Sequence, residues 1–547
     1  MASERMTVAA AMVKALEQEG IKHIFGYPGA AICPFFDELI KSDIQNILVR
    51  HEANSGHAAA GYARIMGKPA VCAATSGPGA TNLITAIATA HMDSVPLIAI
   101  TGQVVSSQIG RDAFQEADIT GASEPFVKHS FLVKDKNVIA EVIKKAFYIA
   151  GTGRPGPVLI DVPMDIQKQE IDFEYPETVE IRSYKPSVSG NKLQIRKAAE
   201  AVKNSRKPLI CAGGGIFTAG AVGELLQLSE KCDIPVISTM MGIGAIPTEH
   251  KNYYGMLGVF GVETAKLALQ ESDLVIALGA RMSDRSVTSL LPFNDTVVIH
   301  IDVDPAEIGK NSPVNIPIVG DVKKVLEQLL TELGEMKHEE WQDMLYRNKL
   351  ECREKNRAED NCAEHVSPKH FVKTLCKHLP DKCAVCSDVG SNQIWAANNV
   401  VLTDQGRFFT SGGMGTMGYA YPAAVGVKVA EPDREVVALS GDGSFQMSFM
   451  ELATAVQHGI NVKGVVFVNN YLGMVREYQD KNFEGRRTMV DLSGSPDFSK
   501  IAEAYGIKSE TVSKDSDVES AVKKMIETDE PYLLQVMVDR TERSLIE

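Results

Sequence analysis

The sequence lacks several features that would place it in whole classes of protein. Its 547 residues contain no uninterrupted apolar run of about 18 residues, so no membrane-spanning helix is predicted. Lys and Arg number 56 against 70 Asp and Glu, a formal net charge of −14. Because nucleic acids and anionic membranes bind basic surfaces, neither is an expected partner. The N-terminal residues also lack the layout of a signal peptide, which predicts a cytoplasmic protein.

A disulfide framework is equally absent from the pattern. The nine cysteines are an odd number and several lie in apolar, strand-like segments, which favours a reducing compartment. Cys383 and Cys386 form a C-x-x-C, but no second pair follows at the spacing of a zinc site. Both are therefore predicted to be ordinary buried thiols.

Length and periodicity predict three α/β units. At roughly 150 residues per domain the chain holds about three or four domains. Short apolar segments alternate with helix-periodic ones, which is typical of parallel sheets covered by helices. The strand candidates are HIFGYPG, NILVRHE, AVCAATSG, LIAITGQ, VLIDVP, PLICAGGG, PVISTM, LVIALGA, VVIHIDVD, AVCSDV, EVVALSGDG, VKGVVFVNN and YLLQVMV.

The predicted fold class is α/β, with three doubly wound parallel-sheet domains. They span residues 1–168, 191–334 and 366–547, separated by a linker at 169–190 and a charged helical connector at 335–365. The first and third domains are both rich in strand-then-glycine loops, which indicates a duplicated architecture.

The strongest chemical signal lies at residues 441–470. Gly441, Asp442, Gly443 and Ser444 close the strand VVALS, and the next strand, KGVVFV, ends at Asn469, 27 residues after Asp442. Parallel strands end at the same sheet edge, where ligands bind, so a carboxylate and an amide oxygen are expected together. Mg²⁺ takes one or two protein oxygens and leaves its other positions to phosphate and water. The glycines let backbone N–H groups approach such a phosphate.

Glu52 is a second candidate, in the first domain. It follows the apolar segment NILVRH and precedes the Gly- and Ala-rich segment ANSGHAAAGYAR. A carboxyl at the end of an apolar strand is suited to proton exchange. The local pattern alone also permits a surface glutamate.

The pair Asp442 and Asn469 resembles the thiamine-diphosphate motif, which anchors the cofactor's diphosphate through Mg²⁺. In that family the backbone carbonyl two residues after the Asn, here Tyr471, is a further metal ligand. Asn470 is an extra amide, and counting back from the following Leu-Gly-Met favours Asn469 over it. The resemblance also implies that Glu52 meets the pyrimidine ring. One cofactor would then bridge two domains, which in this family come from two chains.

Longer segments resemble the catalytic subunit of the acetohydroxyacid synthase (acetolactate synthase) family over almost the whole chain. They are GYPGAAICPFFDEL, TSGPGATNLITAIATAHMDSVPLIAITGQV, GRDAFQEADITG, VKHSFLV, TSGGMGTMGYAYPAA and LGMVREY. The resemblance implies decarboxylation of pyruvate on thiamine diphosphate and ligation of the two-carbon unit to pyruvate or 2-oxobutanoate. This is a step of isoleucine, valine and leucine biosynthesis. It further implies structural FAD and a homodimer or homotetramer, and leaves a separate regulatory subunit open.

The resemblance carries three sets of site residues onto this chain. Beside Glu52, the reacting carbonyl and the acceptor would be surrounded by Gly29, Ala30, Phe114, Gln115, Lys128, Arg285 and Tyr478. Beside the motif residues, thiamine diphosphate would be contacted by Val389, Gly390, Ser391, Asn392, Gly415, Met417, Gly473 and Met474. FAD would be contacted by Arg154, Gly213, Gly214, Gly215, Thr239, Met240, Arg281, Asp302 and Asp321.

Four positions depart from the family pattern, namely Ala30, Phe260, Ser283 and Tyr478. Phe260 and Ser283 weaken the FAD inference. Tyr478 replaces the Trp that favours 2-oxobutanoate and leaves the preferred acceptor open.

Three competing functions follow from the same residues. Another thiamine-diphosphate enzyme, such as a flavin-independent catabolic acetolactate synthase, a decarboxylase or a pyruvate oxidase, is the nearest. A dinucleotide-dependent dehydrogenase is disfavoured because no G-x-G-x-x-G follows a strand with an acid about 20 residues on. A catalytically silent subunit is disfavoured by the joint presence of Glu52, Asp442 and Asn469.

Overall fold

The computed structural model of the protein describes residues 4–286, 296–357 and 365–544. Three six-stranded sheets follow one another along the chain, and every pairing within them is parallel. We name the regions that contain them the first unit (residues 4–173), the middle unit (192–332) and the third unit (368–537). The predicted fold class of three parallel α/β layers is confirmed.

The first unit contains β1–β8 and α1–α8. Its elements are β1 Glu4–Thr7, α1 Val8–Gln18, β2 His23–Tyr27, α2 Cys33–Leu39, β3 Gln45–Leu48, α3 Glu52–Met66, β4 Ala70–Ala74, α4 Pro78–Asn82, α5 Ile84–Met92, β5 Leu97–Gln103, α6 Ile119–Ser123, β6 His129–Leu132, α7 Ile139–Gly151, β7 Val158–Pro163, α8 Met164–Gln167 and β8 Glu170–Phe173. The sheet order is β3-β2-β4-β5-β7-β6. β1 and β8 form a separate antiparallel pair, so the segment predicted as a linker begins with a strand.

The middle unit contains β9–β14 and α9–α13. Its elements are α9 Lys192–Asn204, β9 Pro208–Ala212, α10 Gly215–Thr218, α11 Val222–Cys232, β10 Val236–Ser238, β11 Tyr253–Met256, α12 Glu263–Glu271, β12 Leu274–Leu278, β13 Val297–Asp302, β14 Ile316–Val319 and α13 Val322–Glu332. The sheet order is β11-β10-β9-β12-β13-β14. Counted from the first strand of the unit this is 3-2-1-4-5-6, the order of doubly wound dinucleotide-binding folds.

The third unit follows α14 (Glu339–Arg357), a helix in the charged segment predicted to be helical. Its elements are α15 Pro368–His378, β15 Cys383–Ser387, α16 Ser391–Asn399, β16 Arg407–Phe409, α17 Ala420–Ala430, β17 Glu435–Gly441, α18 Asp442–Phe445, α19 Leu452–His458, β18 Lys463–Val468, α20 Gly473–Asn482, α21 Phe498–Ala504, β19 Lys508–Val512, α22 Asp515–Glu527 and β20 Tyr532–Met537. The sheet order is β16-β15-β17-β18-β20-β19.

The first and third sheets have the same topology. When the strands are numbered along the chain within each six-stranded sheet, both orders are 2-1-3-4-6-5. The strand order reverses between β2 and β4 in one sheet and between β15 and β17 in the other. Ligands of open α/β sheets bind at such reversals, outside the carboxyl ends of the strands. The predicted duplication therefore provides two equivalent binding positions in one chain.

Helices α3 and α17 join the first unit to the third. A Cβ on Gly61 would overlap the carbonyl of Ala423, and one on Gly426 would overlap the carbonyl of Ala58. The two backbones are thus in contact, and a single apolar core continues across the junction through alanines of both helices. Glycine is required at both positions because no side chain fits between the helices.

Two smaller predictions are also met. Cys383 and Cys386 are buried on β15, and every cysteine that the structure describes is a free thiol. Of the helices within the described residues, none is long and apolar enough to cross a lipid bilayer.

Candidate functional site

The ends of β17 and β18 bring Asp442 and Asn469 together. The two strands are parallel neighbours, and each residue directly follows its strand. Asp442 Oδ2 accepts a hydrogen bond from the backbone N–H of Asn470 at 2.6 Å, and Oδ1 accepts one from the N–H of Gly443 at 2.9 Å. Burial raises the pKa of the Asp442 carboxyl to about 6, and these N–H donors oppose the rise. The carboxylate is therefore fixed against the turn that carries Asn469.

The turn after β18 distinguishes the two candidate amides. Asn469 is 6% exposed, and its Oδ1 accepts the N–H of Tyr471 at 3.0 Å. Asn470 has a positive φ of 55°, a conformation that Asn tolerates better than most residues, and its backbone N–H is bonded to Asp442. The Tyr471 ring lies 4.4 Å from the guanidinium of Arg540. This geometry favours Asn469 as the side chain presented to a ligand.

The loop after β15 lies against this turn. A Cβ on Gly473 would overlap Ser391 Oγ and lie 3.3 Å from Asn469 Nδ2. Ser391 Oγ is buried and has no hydrogen-bond partner among the described residues. Burying a hydroxyl without a hydrogen-bond partner costs free energy. This indicates that a ligand, rather than a group of the chain, forms the hydrogen bond with Ser391 Oγ.

Neighbouring glycines let the loops beside this hydroxyl approach one another closely. Gly390 has a φ of 147°, which favours glycine, and a Cβ on Gly441 would lie 3.1 Å from Asn392 Oδ1. Ser444 Oγ accepts the Gly441 N–H at 3.1 Å. Val389 lies in the same loop, between β15 and α16. The predicted diphosphate residues of the third unit are therefore gathered in one place.

Asp388 connects that loop to the segment carrying Gly415 and Met417. It ends the strand segment of β15, is fully buried, and accepts backbone N–H groups from Gly418 at 2.8 Å and Tyr419 at 3.3 Å. Burial raises its pKa to about 6. Met417 in turn reaches the phosphate side, since its Cε would lie 3.6 Å from a Cβ on Gly443.

Glu52 follows β3, the edge strand of the first sheet, and its carboxyl reaches α4, which follows β4. It is the first residue of α3, and its Oε2 accepts a hydrogen bond from Asn82 Nδ2 at 2.9 Å. Its Oε1 lies 3.6 Å from the position of a Cβ on Gly79. Cβ atoms on Gly79 and Gly29 would each meet the methyl of Thr75, at 2.7 and 2.5 Å. The Glu52 carboxyl therefore lies beside a closely packed cluster of loops in which glycine is required at positions 29 and 79.

The remaining predicted residues of the first unit are distributed around this space. Ala30 begins a short 3-10 helix directly after Gly29. A Cβ placed on Gly77 would lie 2.9 Å from the Cα of Gln115. Phe114 is 88% exposed. Within one chain, the structure thus brings Glu52, Gly29 and Gln115 to one loop cluster and leaves Phe114 pointing into solvent.

Lys128 has a different environment. Its Nζ donates to the carbonyl of Thr152 at 2.8 Å, to the hydroxyl of Tyr184 at 2.9 Å and to the carbonyl of Ile149. Burial lowers its pKa to about 8. Its hydrogen bonds therefore tie the end of α7 to the segment between the first and middle units.

A cavity of about 1030 Å³ lies where the three units meet. Eight of the nine residues predicted to contact FAD line it, together with Arg285, Gly415 and Met474; the eight are Arg154, Gly214, Gly215, Thr239, Met240, Arg281, Asp302 and Asp321. The ninth, Gly213, lies behind the wall, where a Cβ would overlap the carbonyl of Gly279. Gly213 follows β9 and Gly279 follows β12, so this close approach marks the reversal point of the middle sheet.

Several charged side chains in and beside this cavity form ion pairs or hydrogen bonds with other groups of the chain. Arg154 pairs with Asp304 at 3.2 Å and with Glu307 at 2.7 Å, and burial raises the pKa of Asp302 to about 6. Asp321 caps α13 through the N–H of Lys324. Arg285 is exposed and its contact with Asp284 is long, at 3.6 Å.

Tyr478 lies on α20, one helical turn beyond Met474. It is 61% exposed and its ring lies 6.0 Å from that of Phe483. Phe260, which also departs from the family pattern, lines the large cavity, as does Ser283. Two of the four departures, Phe260 and Ser283, therefore line the cavity that is predicted to hold a flavin.

The donor set restricts which cation the third unit could hold. Across the described ranges, no group of three or more His, Cys, Asp or Glu side chains could hold a metal ion. A cation beside Asp442 would therefore meet one carboxylate, an amide oxygen and a carbonyl. Such a set suits a hard cation whose coordination is completed by phosphate and water.

Three residues of the site were not predicted from the sequence. Asn82 lies 30 residues after Glu52, and its amide resembles any polar residue of a loop. Asp388 ends an apolar strand, the same signal that identified Asp442, and could have been found by it. Glu451, a buried carboxyl, meets the segment carrying Glu52 from about 400 residues away, and no local pattern indicates this.

Three family models match the chain in order. They are the thiamine pyrophosphate enzyme N-terminal TPP-binding domain over residues 6–122, the central domain over residues 195–329 and the C-terminal TPP-binding domain over residues 388–536. Each model falls on one of the three sheets, and the two TPP-binding models fall on the two sheets with the same topology.

Curated relatives cover nearly the full length. A probable acetolactate synthase large subunit of Methanocaldococcus jannaschii is 45% identical over 98% of this chain and 93% of the relative. The acetolactate synthase large subunit of Haemophilus influenzae is 44% identical over 92% and 89%, and the isozyme 3 large subunit of Escherichia coli is 41% identical over 96% and 93%. On this identity and coverage, the chain belongs to the acetolactate synthase large-subunit family of thiamine pyrophosphate enzymes.

Proposed function

We propose that this chain is an acetolactate synthase that decarboxylates pyruvate and ligates the resulting two-carbon unit to a second 2-oxo acid, pyruvate or 2-oxobutanoate. One observation supports this above the others. The two sheets of equal topology present complementary groups beyond the carboxyl ends of their strands, an acid suited to proton exchange at Glu52 and oxygen ligands suited to a cation and phosphate at Asp442. A cofactor with a ring at one end and a diphosphate at the other needs both.

The third unit would hold the diphosphate through Mg²⁺. Asp442, Asn469 and the Tyr471 carbonyl are the proposed ligands, and the unpartnered hydroxyl of Ser391 is the proposed donor to a phosphate oxygen. The glycines at 390, 441, 443 and 473 keep side chains out of the space that the phosphates would fill. A diphosphate–Mg²⁺ group fits this donor set because it supplies the acceptors that the chain lacks.

Bound thiamine diphosphate supplies a carbon nucleophile and an electron sink for the bond that breaks as CO₂ leaves. The chain's own contribution begins at Glu52. Asn82 orients the carboxyl through Oε2, so Oε1 is free to exchange a proton with the pyrimidine ring. Gly415 and Met417 would support that ring, with Met417 as an apolar contact between ring and diphosphate.

The acceptor side is proposed to combine groups from all three units. Gly29 and Ala30 would lie beside the reacting carbonyl. Arg285 has a guanidinium suited to a carboxylate and only a long contact with Asp284. Phe114, Gln115, Lys128 and Tyr478 would complete the wall, with Phe114, Gln115 and Lys128 provided by the neighbouring chain.

FAD is proposed as a structural cofactor of the large cavity. Its volume, the dinucleotide-type strand order of the middle sheet and the eight predicted residues along its wall support this assignment. At least a homodimer is proposed, because Glu52 and Asp442 of one cofactor site would come from two chains. The relatives are named large subunits, which supports the proposal that a separate, smaller subunit binds this chain.

The product decides the proposed function. The purified chain is incubated with pyruvate, thiamine diphosphate and Mg²⁺, with and without FAD, and the products are identified. We expect acetolactate. Acetaldehyde or acetyl phosphate as the main product would reject the assignment, and full activity after removal of flavin would indicate the flavin-independent relatives instead.

Substitution of Glu52 tests its proposed role. Glu52→Gln keeps the shape of the side chain and removes the exchangeable carboxyl proton, so we expect at least a hundredfold loss of carboligation with thiamine diphosphate affinity nearly unchanged. The matched control is Glu339→Gln, since Glu339 is also the first residue of a helix but is exposed. Full activity of the Glu52 variant would exclude the proposed role.

A further inference from the structure

The segment that carries Glu52 is held by the third unit as well as by its own. β3 is the edge strand of the first sheet, so its outer backbone groups have no neighbouring strand. Leu48, at its end, donates its N–H to His458 Nε2 at 3.0 Å, and its carbonyl lies 3.1 Å from the hydroxyl oxygen of Thr454. Side chains of α19 therefore replace the missing strand.

Glu451 makes the central contact of this junction. It is 1% exposed and ends the short 3-10 helix that precedes α19. Its Oε1 accepts the backbone N–H of Arg50 at 2.9 Å and Asn54 Nδ2 at 2.8 Å, while Oε2 accepts the hydroxyl of Thr454 at 2.5 Å. Its two contacts with the first unit lie two residues before and two residues after Glu52.

The cost of this arrangement indicates a specific role. Burial raises the pKa of the Glu451 carboxyl, and its donors oppose that rise. A buried polar group is tolerated only when its hydrogen bonds are satisfied, and an apolar side chain of similar size would stabilise a core as well or better. What an apolar residue cannot provide is a fixed position for the Arg50 backbone and the Asn54 side chain.

We propose that Glu451 is a positioning residue for Glu52, holding the turn between β3 and α3 so that the Glu52 carboxyl meets the cofactor ring in a productive geometry. This inference rests on the proposed function, because it assumes that Glu52 exchanges a proton with that ring. A displacement of about 1 Å at a reacting group can cost about a hundredfold in rate. Loosening the turn therefore lowers turnover without weakening the grip on the diphosphate.

A pair of substitutions separates positioning from burial. Glu451→Ala removes all three hydrogen bonds, and we expect kcat to fall at least tenfold with the Kd for thiamine diphosphate within threefold of the parent. Glu451→Gln keeps an oxygen for Arg50 and Asn54, and its amide can donate to the Thr454 hydroxyl, whose own proton can then be donated to the Leu48 carbonyl. We expect this variant to restore kcat to within threefold.

Amide hydrogen exchange gives a readout that needs neither cofactor nor turnover. In the unloaded full-length protein, a peptide covering residues 48–54 is expected to exchange at least tenfold faster in Glu451→Ala and at the parent rate in Glu451→Gln. Gln457→Ala is the matched control, because Gln457 meets only the side chain of Arg50, at 2.5 Å near the surface.

The outcomes are decisive in each direction. Faster exchange with unchanged kcat, or equal damage from Gln and Ala, would overturn the inference. If Glu451→Ala does not fold, Asn54→Ala removes only one contact, and a loss of kcat under threefold would then overturn it. A parent protein that makes no acetolactate would reject the proposed function, whereas the exchange measurement would still decide whether Glu451 holds the turn.

Discussion

The first and third units share a topology but place different chemistry at the same point of it. In both, the sheet order is 2-1-3-4-6-5, and the candidate site residues lie on loops that follow the carboxyl ends of several strands near the reversal. In the third unit these loops present Asp442, Asn469 and the unpartnered Ser391 hydroxyl. In the first they present small residues around a single acid, Glu52.

This comparison separates what a fold decides from what a loop decides. Strand order determines where the two sites lie, and nothing in that order determines whether a site grips an anion or exchanges a proton. The loops decide by length and residue type. Glycines at 441, 443 and 473 let the loops of the third unit pack against Asn392, Leu472 and Ser391, whereas Gly29 and Gly79 pack against Thr75 beside the Glu52 carboxyl.

The largest expected effect concerns the junction that holds the two units together. A Cβ on Gly426 would overlap the Ala58 carbonyl, so Gly426→Ala must force α3 and α17 apart. We expect a loss of more than about 3 kcal/mol in unfolding free energy, seen as a lower thermal midpoint or as insoluble protein. Gly223→Ala is the control: Gly223 lies in α11 with no atom near its would-be Cβ, and the change should slightly stabilise the protein.

A pH-dependent effect is expected at the same junction. His57 is 3% exposed on α3, its ring lies 5.5 Å from that of Tyr419, and burial lowers its pKa to about 4. In the unfolded chain the His57 imidazole takes up a proton near pH 6.5. The contribution of neutral His57 to the free energy of unfolding is therefore fully present above that pH and is lost as the pH falls towards 4. At ~1.36 kcal/mol per pKa unit the loss reaches about 3 kcal/mol.

Thermal midpoints measured between pH 4.5 and 7.5 test this. His57→Gln cannot take up the proton and should show a flatter profile than the parent. His365→Gln, at a half-exposed position, should follow the parent. Parallel profiles for the parent and His57→Gln would show that protonation of His57 does not destabilise the junction.

The smallest expected effect distinguishes a residue that binds the diphosphate from a residue that activates the cofactor. Ser391→Ala removes the unpartnered hydroxyl, and a hydrogen bond to a charged group is worth about 1.5 kcal/mol or more. We expect the Kd for thiamine diphosphate with Mg²⁺ to rise about tenfold, with kcat at saturation within twofold. Ser448→Ala, which removes another buried hydroxyl without a partner among the described residues, should leave the Kd unchanged. A fall in kcat with an unchanged Kd would contradict the assignment of Ser391 to the diphosphate.

The strands that sequence patterns missed have a common position. Every strand candidate from the sequence contains a strand in the structure. The parallel strands without a candidate are β6, β11, β14, β16 and β19, and each lies at the edge of a sheet. Edge strands are buried on fewer sides and therefore need fewer apolar residues. Lys508–Val512, with the sequence KSETV, shows how little apolar pattern an edge strand requires.

The site was predictable where chemistry follows directly from a strand end. Asp442, Asn469 and Glu52 could be found because strand length and spacing place them at a sheet edge. Asn82 and Glu451 could not, because their partners depend on how separate loops and separate units pack. The roles assigned to Lys128 and the FAD residues came from family resemblance and stay predictions.

The contact of α3 with α17 restricts how this molecule can move. Two helices whose backbones touch cannot bend about a hinge or slide past each other without breaking a shared core. The first and third units therefore form one frame around a shared core. The exposed side chains of Phe114, Tyr478 and Met489 lie on loops and a helix attached to that frame. A rearrangement of those parts would leave the contact of α3 with α17 intact, and so would cost little of the stability that this contact provides.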